Sequence, residues 1–294
     1  MTRNNTGYQQ GIIDTVYVRK FVQDALMEDV GPGDHTSLST IPADAVQTAR
    51  LLVKDEGVLA GIELAKIIFK EVDARLEVQQ LLNDGDVVAK GDIAFTVHGP
   101  ARSITIAERL VLNCMQRMSG IATATWRMVR LVSDLPVKVV DTRKTTPLFR
   151  YFEKWAVRIG GGHNHRYALY DMILIKDNHV DYAGGTVRAI DAAVKYREEN
   201  RLDVLIEIEV RNFAELEEVM RHGGVDRIML DNFPVMDLKV AVERISGKFV
   251  TEASGGITAD TLRAYAETGV NEISIGALTH SIKSLDLSLK AVRS

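Results

Sequence analysis

Cysteine is almost absent. Cys114 is the only one in 294 residues, so no intrachain disulfide can form and a reducing compartment is expected. No apolar run approaches the length of a membrane span. The opening "MTRNNTGYQQGII" lacks the apolar stretch of a signal peptide. Together these absences predict a cytoplasmic protein that does not engage a membrane. There is no excess of positive charge either: the formal net charge is −4. That argues against a general nucleic-acid coat, though not against a local anion site. What is present is ordinary for a globular protein, with 46% hydrophobic and 26% charged residues. The length suits one large domain or two modest ones.

The first third and the rest of the chain read differently. "VYVRKFVQDALMEDV" has helical apolar spacing and ends in a turn-rich loop, "GPGDHTS". "ARLLVKDEGVLAG" reads as a strand and "IELAKIIFKEV" as a helix. "RLEVQQLLNDGDVVAKGDIAFTVHG" carries β signal broken by Asp-Gly and Lys-Gly turns. These features predict an α+β domain of roughly one hundred residues. A helical stretch then runs "ITIAERLVLNCMQRMSGIATATWRMVRLV". Beyond it, the strand candidates "VKVVD", "WAVRI", "MILIK", "VLIEIEV", "RIMLD", "FVTEAS" and "EISIG" alternate with helices. Such alternation implies parallel strands joined by crossovers. Seven strands without a strong dinucleotide fingerprint suggest a (β/α) barrel, complete or not, with a doubly wound sheet as the alternative.

Polar residues collect where these strands end. Asp141, Arg143 and Lys144 follow the first, and Gly160 to Arg166 the second. Lys176 and Asp177 close the third, Glu209 the fourth, Asp231 and Asn232 the fifth. Ser254, Gly255 and Gly256 close the sixth, and Gly276 the seventh. In a barrel these ends converge on one mouth, where active sites lie. Arg143, Lys144, His165, Arg166 and Lys176 suit a small, multiply charged anion. The bland alternative is a solvated surface of salt bridges, with Glu153 a partner for some of these cations. "ASGGI" and "SIGALTHS" are glycine turns after the last two strands, a common barrel device for phosphate. Glu207 and Glu209 share one sheet face. Glu209, beside Asp231, suits ribose hydroxyls, Mg²⁺ or a developing oxocarbenium charge. Glu207 reads better as a buried partner for one of the cations.

At these residues the chain resembles the quinolinate phosphoribosyltransferases, also called nicotinate-nucleotide pyrophosphorylases (carboxylating). The resemblance spans nearly the whole chain, through "EDVGPGDHTS", "ERLVLNCMQRMSGIAT", "DTRKTTP", "GGGHNHR", "LIKDNH", "IEIEV", "LDNF", "ASGGI" and "SIGALTHS". It implies an α/β-sandwich N-terminal domain over 1–112, followed over 113–281 by an incomplete seven-stranded (β/α) barrel. Residues 282–294 would pack back on the first domain. It also implies a pentosyltransferase of NAD biosynthesis. Quinolinate and 5-phosphoribosyl-1-pyrophosphate (PRPP) would give nicotinate mononucleotide, pyrophosphate and CO₂, with Mg²⁺ as the required ion. Arg143, His165, Arg166 and Lys176 would line the quinolinate pocket, with Lys144 near both substrates and Thr142 also binding substrate. Arg109 would reach in from the other subunit of a homodimer, some members of the family being hexamers. Lys144, Lys176, Glu209 and Asp231 would be catalytic, the last two also holding the metal. Ser254, Gly255 and Gly256, with Ile275, Gly276 and Ala277, would bind the 5-phosphate. His163 is given no role.

Three rival readings have their own signals. His163 and His165 form a His-x-His spacing that suits a metal-dependent hydrolase, but further ligands are missing. "GDVVAKGD" is faintly similar to a lipoyl hairpin with Lys90 at its turn, although a structural hairpin explains it as well. A related phosphoribosyltransferase acting on nicotinate or another acid is the third.

Overall fold

A computed structural model of the chain describes residues 14–292. In chain order the elements are α1 (Thr15–Val30), α2 (His35–Thr40), β1 (Val46–Val53), β2 (Gly57–Val58) and α3 (Ile62–Val72). Next come β3 (Glu77–Gln80), β4 (Val87–Val88), β5 (Ile93–Pro100), α4 (Ala101–Leu131), β6 (Lys138–Val140) and α5 (Arg150–Ile159). They are followed by β7 (Met172–Ile175), α6 (Asp177–Ala183), α7 (Thr186–Glu199), β8 (Leu205–Val210), α8 (Phe213–His222) and β9 (Arg227–Asp231). The last are α9 (Val235–Ile245), β10 (Val250–Ser254), α10 (Ala259–Ala266), β11 (Glu272–Ser274), α11 (Ala277–His280) and β12 (Leu287–Ala291). Among these, no helix is long and apolar enough to cross a membrane.

Two compact units emerge. The first takes the chain through Ala124, then Leu148–Gly160 and the segment from Ile282 onward. The second takes Thr125–Pro147 and Gly161–Ser281. The sequence-based boundary at 112/113 and the structural one at 124/125 both fall inside α4.

The first unit is built on an antiparallel sheet of order β12-β1-β5-β3, in which Leu51 of β1 faces Leu289 of β12. Period-2 alternation buries Ala49, Leu51 and Val53 on one face of β1. Ile62, Leu64, Ala65, Ile68 and Phe69 of α3 are fully buried, and Phe69 meets Phe95 of β5 edge to face at 5.8 Å. Asp14 caps α1 by accepting from the amides of Val16 and Tyr17, each at 3.0 Å. The loop expected at "GPGDHTS" holds a short helix instead. Asp34 starts α2 by accepting from Thr36 and Ser37 N–H.

"WAVRI" is not a strand. It lies inside α5, which buries Tyr151, Phe152, Ala156 and Val157. These residues recur at helical spacing, and the ring of Phe152 packs tilted against that of Phe21 of α1, 4.5 Å between centroids. The short window "WAVRI" hides that period because the aromatic half of the stripe precedes it. Glu153 on this helix is fully buried and pairs with Arg117 of α4 at 2.7 Å. One partner of Glu153 is therefore a cation of the first unit.

The second unit holds a parallel sheet of order β6-β11-β10-β9-β8-β7. It has six strands, and where a seventh was expected there is a single parallel bridge, Val140 to His163. The Asp141 amide donates to His163 O and the His163 amide to Val139 O. The glycine-rich segment around this bridge offers little apolar surface to extend it. Along the strands, Ile206, Ile208, Ile228, Leu230, Ala253 and Ile273 are buried on one face. The alternate residues include Glu207, Glu209, Arg227, Asp231, Glu252, Ser254, Glu272 and Ser274, with Met229 an apolar member among them. One face is thus an apolar backing, and the other carries the chemistry.

Candidate active site

The loop after β6 is fixed from below. Asp141 is fully buried. Its carboxylate accepts from His165 N–H at 2.9 Å and from Asn164 Nδ2 at 2.6 Å. One acid therefore ties the first strand end to the "GGGHNHR" segment and sets where His165 and Arg166 emerge. The Thr279 hydroxyl of α11 donates to Lys144 O at 2.7 Å, anchoring the far end of the same loop.

Arg143 and Arg166 then meet with no acid in direct contact, although the charges of Asp171 and Glu207 reach Arg166. Among the described residues, Arg143, Lys144 and Arg166 form no ion pair, and the buried Nε of Arg143 has no hydrogen-bond partner. Arg166 donates to Met172 O at 3.2 Å. Burial first, and the nearby charge of Arg143 second, pull its pKa below the ordinary guanidinium value. A buried cation beside a half-buried one that repels it, the latter with an orphaned buried donor, favours an anion.

The next two strand ends bring acids. Lys176 follows β7, and its Nζ lies 3.4 Å from Glu209 Oε2 on β8. Burial raises the Glu209 carboxyl, Lys176 opposes this, and the charge of Asp231 on β9 adds to it. Asp231 is thus close enough to Glu209 for the two to repel. Asn232 has a positive φ of 55°. Its side-chain amide donates to Asp231 at 2.6 Å, and its backbone amide donates to Ser254 O at 2.8 Å.

Glycine loops close the circuit. Gly255 has φ of 106° and Gly256 of 58°. A Cβ on Gly255 would collide with the Asn232 amide. The turn leads into α10, where Thr258 and Thr261 cap each other. Gly276 lies against Lys144, whose Cδ would be 3.0 Å from any Cβ placed there. Backbone amides in such turns suit phosphate oxygens.

One cavity of about 850 Å³ gathers these groups. It is lined by Thr142, Arg143, Lys144, His165, Arg166, Lys176, Glu209 and Asp231, and by the turns Ser254–Gly256 and Ile275–Ala277. Arg109 is not among them. It is an exposed residue of α4 in the first unit. Asn232 lines the cavity too, as its strand-end position implied, and Glu252, Ser274 and His280 line it without having been expected. A signal for Glu252 and Ser274 existed, since counting back by two from Ser254 or Gly276 along a strand reaches them.

Beneath His165 lies a buried network. His165 Nε2 is 2.9 Å from Glu207 Oε2 and 3.1 Å from Glu252 Oε2. Arg227 Nε lies 3.4 Å from Glu207, and its Nη2 lies 3.1 Å from Glu252 and in contact with Glu272. Glu207 is therefore a buried partner of His165 and Arg227. The metal-like grouping of the described residues is His165, Glu207 and Glu252, without His163. Arg227 already occupies both glutamates, which opposes a dication there. Lys90 is exposed in a turn held by Asp92, which accepts from Ala89 N–H at 2.8 Å.

Comparison with known proteins matches this geometry to a family. Residues 34–119 match the model of the quinolinate phosphoribosyl transferase N-terminal domain, and residues 121–290 that of its C-terminal domain. The chain belongs to the quinolinate phosphoribosyl transferase family. It is 48% identical to the mitochondrial quinolinate phosphoribosyltransferase [decarboxylating] 2a of Nicotiana tabacum, over 94% of this chain and 82% of that one. It is 42% identical to a probable nicotinate-nucleotide pyrophosphorylase [carboxylating] of Bacillus subtilis, over 92% of each. The solved nicotinate-nucleotide pyrophosphorylase of Francisella tularensis superposes with a TM-score of 0.90 at 38% identity, over 97% of this chain and 99% of that one. The family has the mixed α/β architecture found here, a small sheet domain followed by a barrel-like parallel sheet.

Proposed function

We propose that the cavity transfers the phosphoribosyl group of PRPP to quinolinate with loss of CO₂, giving nicotinate mononucleotide and pyrophosphate, a step of NAD biosynthesis. The observation that carries this reading is the juxtaposition of the unpaired Arg143 and Arg166 with the Glu209–Asp231 pair and the two glycine turns. A dicarboxylate satisfies the cations, and a phosphorylated sugar satisfies the acids and the turns.

In this reading Arg143, His165 and Arg166 hold the two carboxylates and aim the ring nitrogen at C1 of the ribose. The nitrogen forms the new bond as the bond from C1 to pyrophosphate breaks. Glu209 stabilises the positive charge that develops at C1, while Lys144 and Lys176 stabilise the departing negative charge. The ring nitrogen is then quaternary. When the C2 carboxylate leaves as CO₂, the electron pair stays on C2 beside the pyridinium and accepts a proton. Mg²⁺ belongs to the same reading. Glu209 and Asp231 are hard oxygen donors that repel one another, as a site for that ion would have it, and the ion would neutralise pyrophosphate oxygens. The working unit is read as a homodimer in which Arg109, an exposed cation here, completes the site of a second copy.

The deciding experiment offers the purified protein quinolinate or nicotinate with PRPP and Mg²⁺. We expect turnover of quinolinate and at least about a hundredfold less of nicotinate, whose missing carboxylate leaves buried cations unpaired. Equal turnover of the two acids would overturn the assignment.

A further inference from the structure

The mechanism uses His165 as a cation, yet a buried imidazole at neutral pH is ordinarily uncharged. Behind it, three adjacent strands supply an alternating column of charge. Glu207 comes from β8, Arg227 from β9 and Glu252 from β10, with Glu272 of β11 on the far side of Arg227. Lys138 of β6 lies 3.7 Å from Glu272 and ends the column. Glu207 and Glu252 are fully buried, and the Arg227 and His165 side chains are 11% and 6% exposed. The formal charges on the six groups cancel only if His165 carries a proton. Three positive groups then face three carboxylates.

We propose that Glu252, braced by Arg227, is a positioning residue that holds His165 in one orientation and as an imidazolium, so that the cavity offers its acid substrate a third cation throughout the neutral range. The inference rests on the reading of the cavity as a quinolinate site. Its geometric basis is the pair of carboxylates 2.9 and 3.1 Å from one ring nitrogen, two buried negative charges that favour the protonated ring over a neutral one. Nearby groups include Asp141, which accepts the backbone N–H of His165, the adjoining Arg166, and Arg143, which lines the same cavity. Burial works against the charge on His165, but the hydrogen bonds it donates to Glu207 and Glu252, with the charges of those carboxylates, outweigh it and lift its pKa to about 10. Glu252 moves the opposite way: burial would raise it, and His165 holds it low.

The arrangement affects specificity. A monocarboxylate can be held by Arg143 and Arg166 alone, but a second carboxylate needs a further cation that does not switch off above pH 6.5. The test combines two measurements on the full-length protein. Imidazole NMR, with His165 assigned by comparison with His165→Gln, reads its protonation directly. Calorimetry reads quinolinate affinity from pH 6 to 9. In the wild type we expect an imidazolium signal throughout and affinity changing less than about threefold. In Glu252→Gln, one carboxylate is removed with little change of shape. His165 should then titrate within the range, and quinolinate binding should weaken by about tenfold between pH 6 and 9, as one charge-assisted contact is lost. A neutral His165 in the wild type at pH 7.5 would overturn the proposal, and that measurement stands even if the variant fails to fold. So would a folded Glu252→Gln whose His165 titration and pH profile match the wild type. A charged His165 that responds to Glu252→Gln in a protein that binds no quinolinate would retain the device and remove the substrate reading.

Discussion

The second unit contains two clusters of cations that behave oppositely. Below, Arg227 and His165 are matched by glutamates from three strands. Above, Arg143, Lys144 and Arg166 crowd together with no acid paired to them among the described residues. Burial alone does not separate the clusters, because members of both are largely removed from solvent. The difference is compensation within the chain. A compensated cluster is neutral and can remain dry. An uncompensated one keeps an unfavourable charge until something arrives from outside. The same element of sequence supplies both: His165 and Arg166 are neighbours, one turned to the glutamates and the other to Arg143.

The contrast would break most sharply at Arg227. Arg227→Met removes the hub and leaves Glu207, Glu252 and Glu272 around an apolar side chain. Breaking a buried pair from one side costs about 3–5 kcal/mol. Urea unfolding at pH 7.5 should show a loss of that size. A loss below about 1 kcal/mol, of the kind seen for exposed pairs, would mean that the column does not hold the barrel interior together.

Arg143→Met should act the other way round. No carboxylate is orphaned by it, so stability should stay within about 0.5 kcal/mol of wild type, or rise if repulsion with Arg166 is relieved. Binding should suffer, because a hydrogen bond to a charged group is worth about 1.5–3 kcal/mol, or roughly 10–150-fold in affinity. Calorimetry with quinolinate checks this. Unchanged affinity with lowered stability would place Arg143 in the structural class and undo the comparison.

Much of the upper cluster was legible in the sequence, and little of the lower. The upper residues sit just past strand ends, where polar side chains interrupt runs such as "MILI" and "RIML", and period-2 alternation marks Glu209, Asp231 and Ser254. The lower network depends on which strands are neighbours and in what register. Glu207 lies level with Arg227, and Glu252 level with Glu272. Arg227 and Glu272 open their strands, and in sequence they look like ordinary solvated ends. The seventh strand was misplaced for a related reason. "WAVRI" is apolar enough for a strand, but its context from Tyr151 onward is the buried stripe of α5, and the strand position passed to the single bridge at His163. The positive φ of Asn232 gave no sign in the sequence beyond the known tolerance of asparagine for that region.

Asn232 supplies the smallest test, and it separates backbone from side chain. Its φ of 55° lies in the left-handed region, which glycine adopts without strain. Its side-chain amide reaches Asp231 at 2.6 Å and packs where a Cβ on Gly255 would stand. Asn232→Gly therefore keeps the turn and deletes only the contact that steadies the Asp231 carboxylate. Stability should fall by no more than about 1 kcal/mol, since the hydrogen bond is exposed and the backbone strain is relieved. If Asp231 serves the sugar side of the cavity, the KM for PRPP should rise about two- to tenfold, in line with one lost hydrogen bond. The affinity for quinolinate, which depends on Arg143 and Arg166, should not change. Steady-state kinetics with each substrate varied in turn measures both. A change confined to quinolinate would move Asp231 to the acid side of the site and redraw the division between the two substrates.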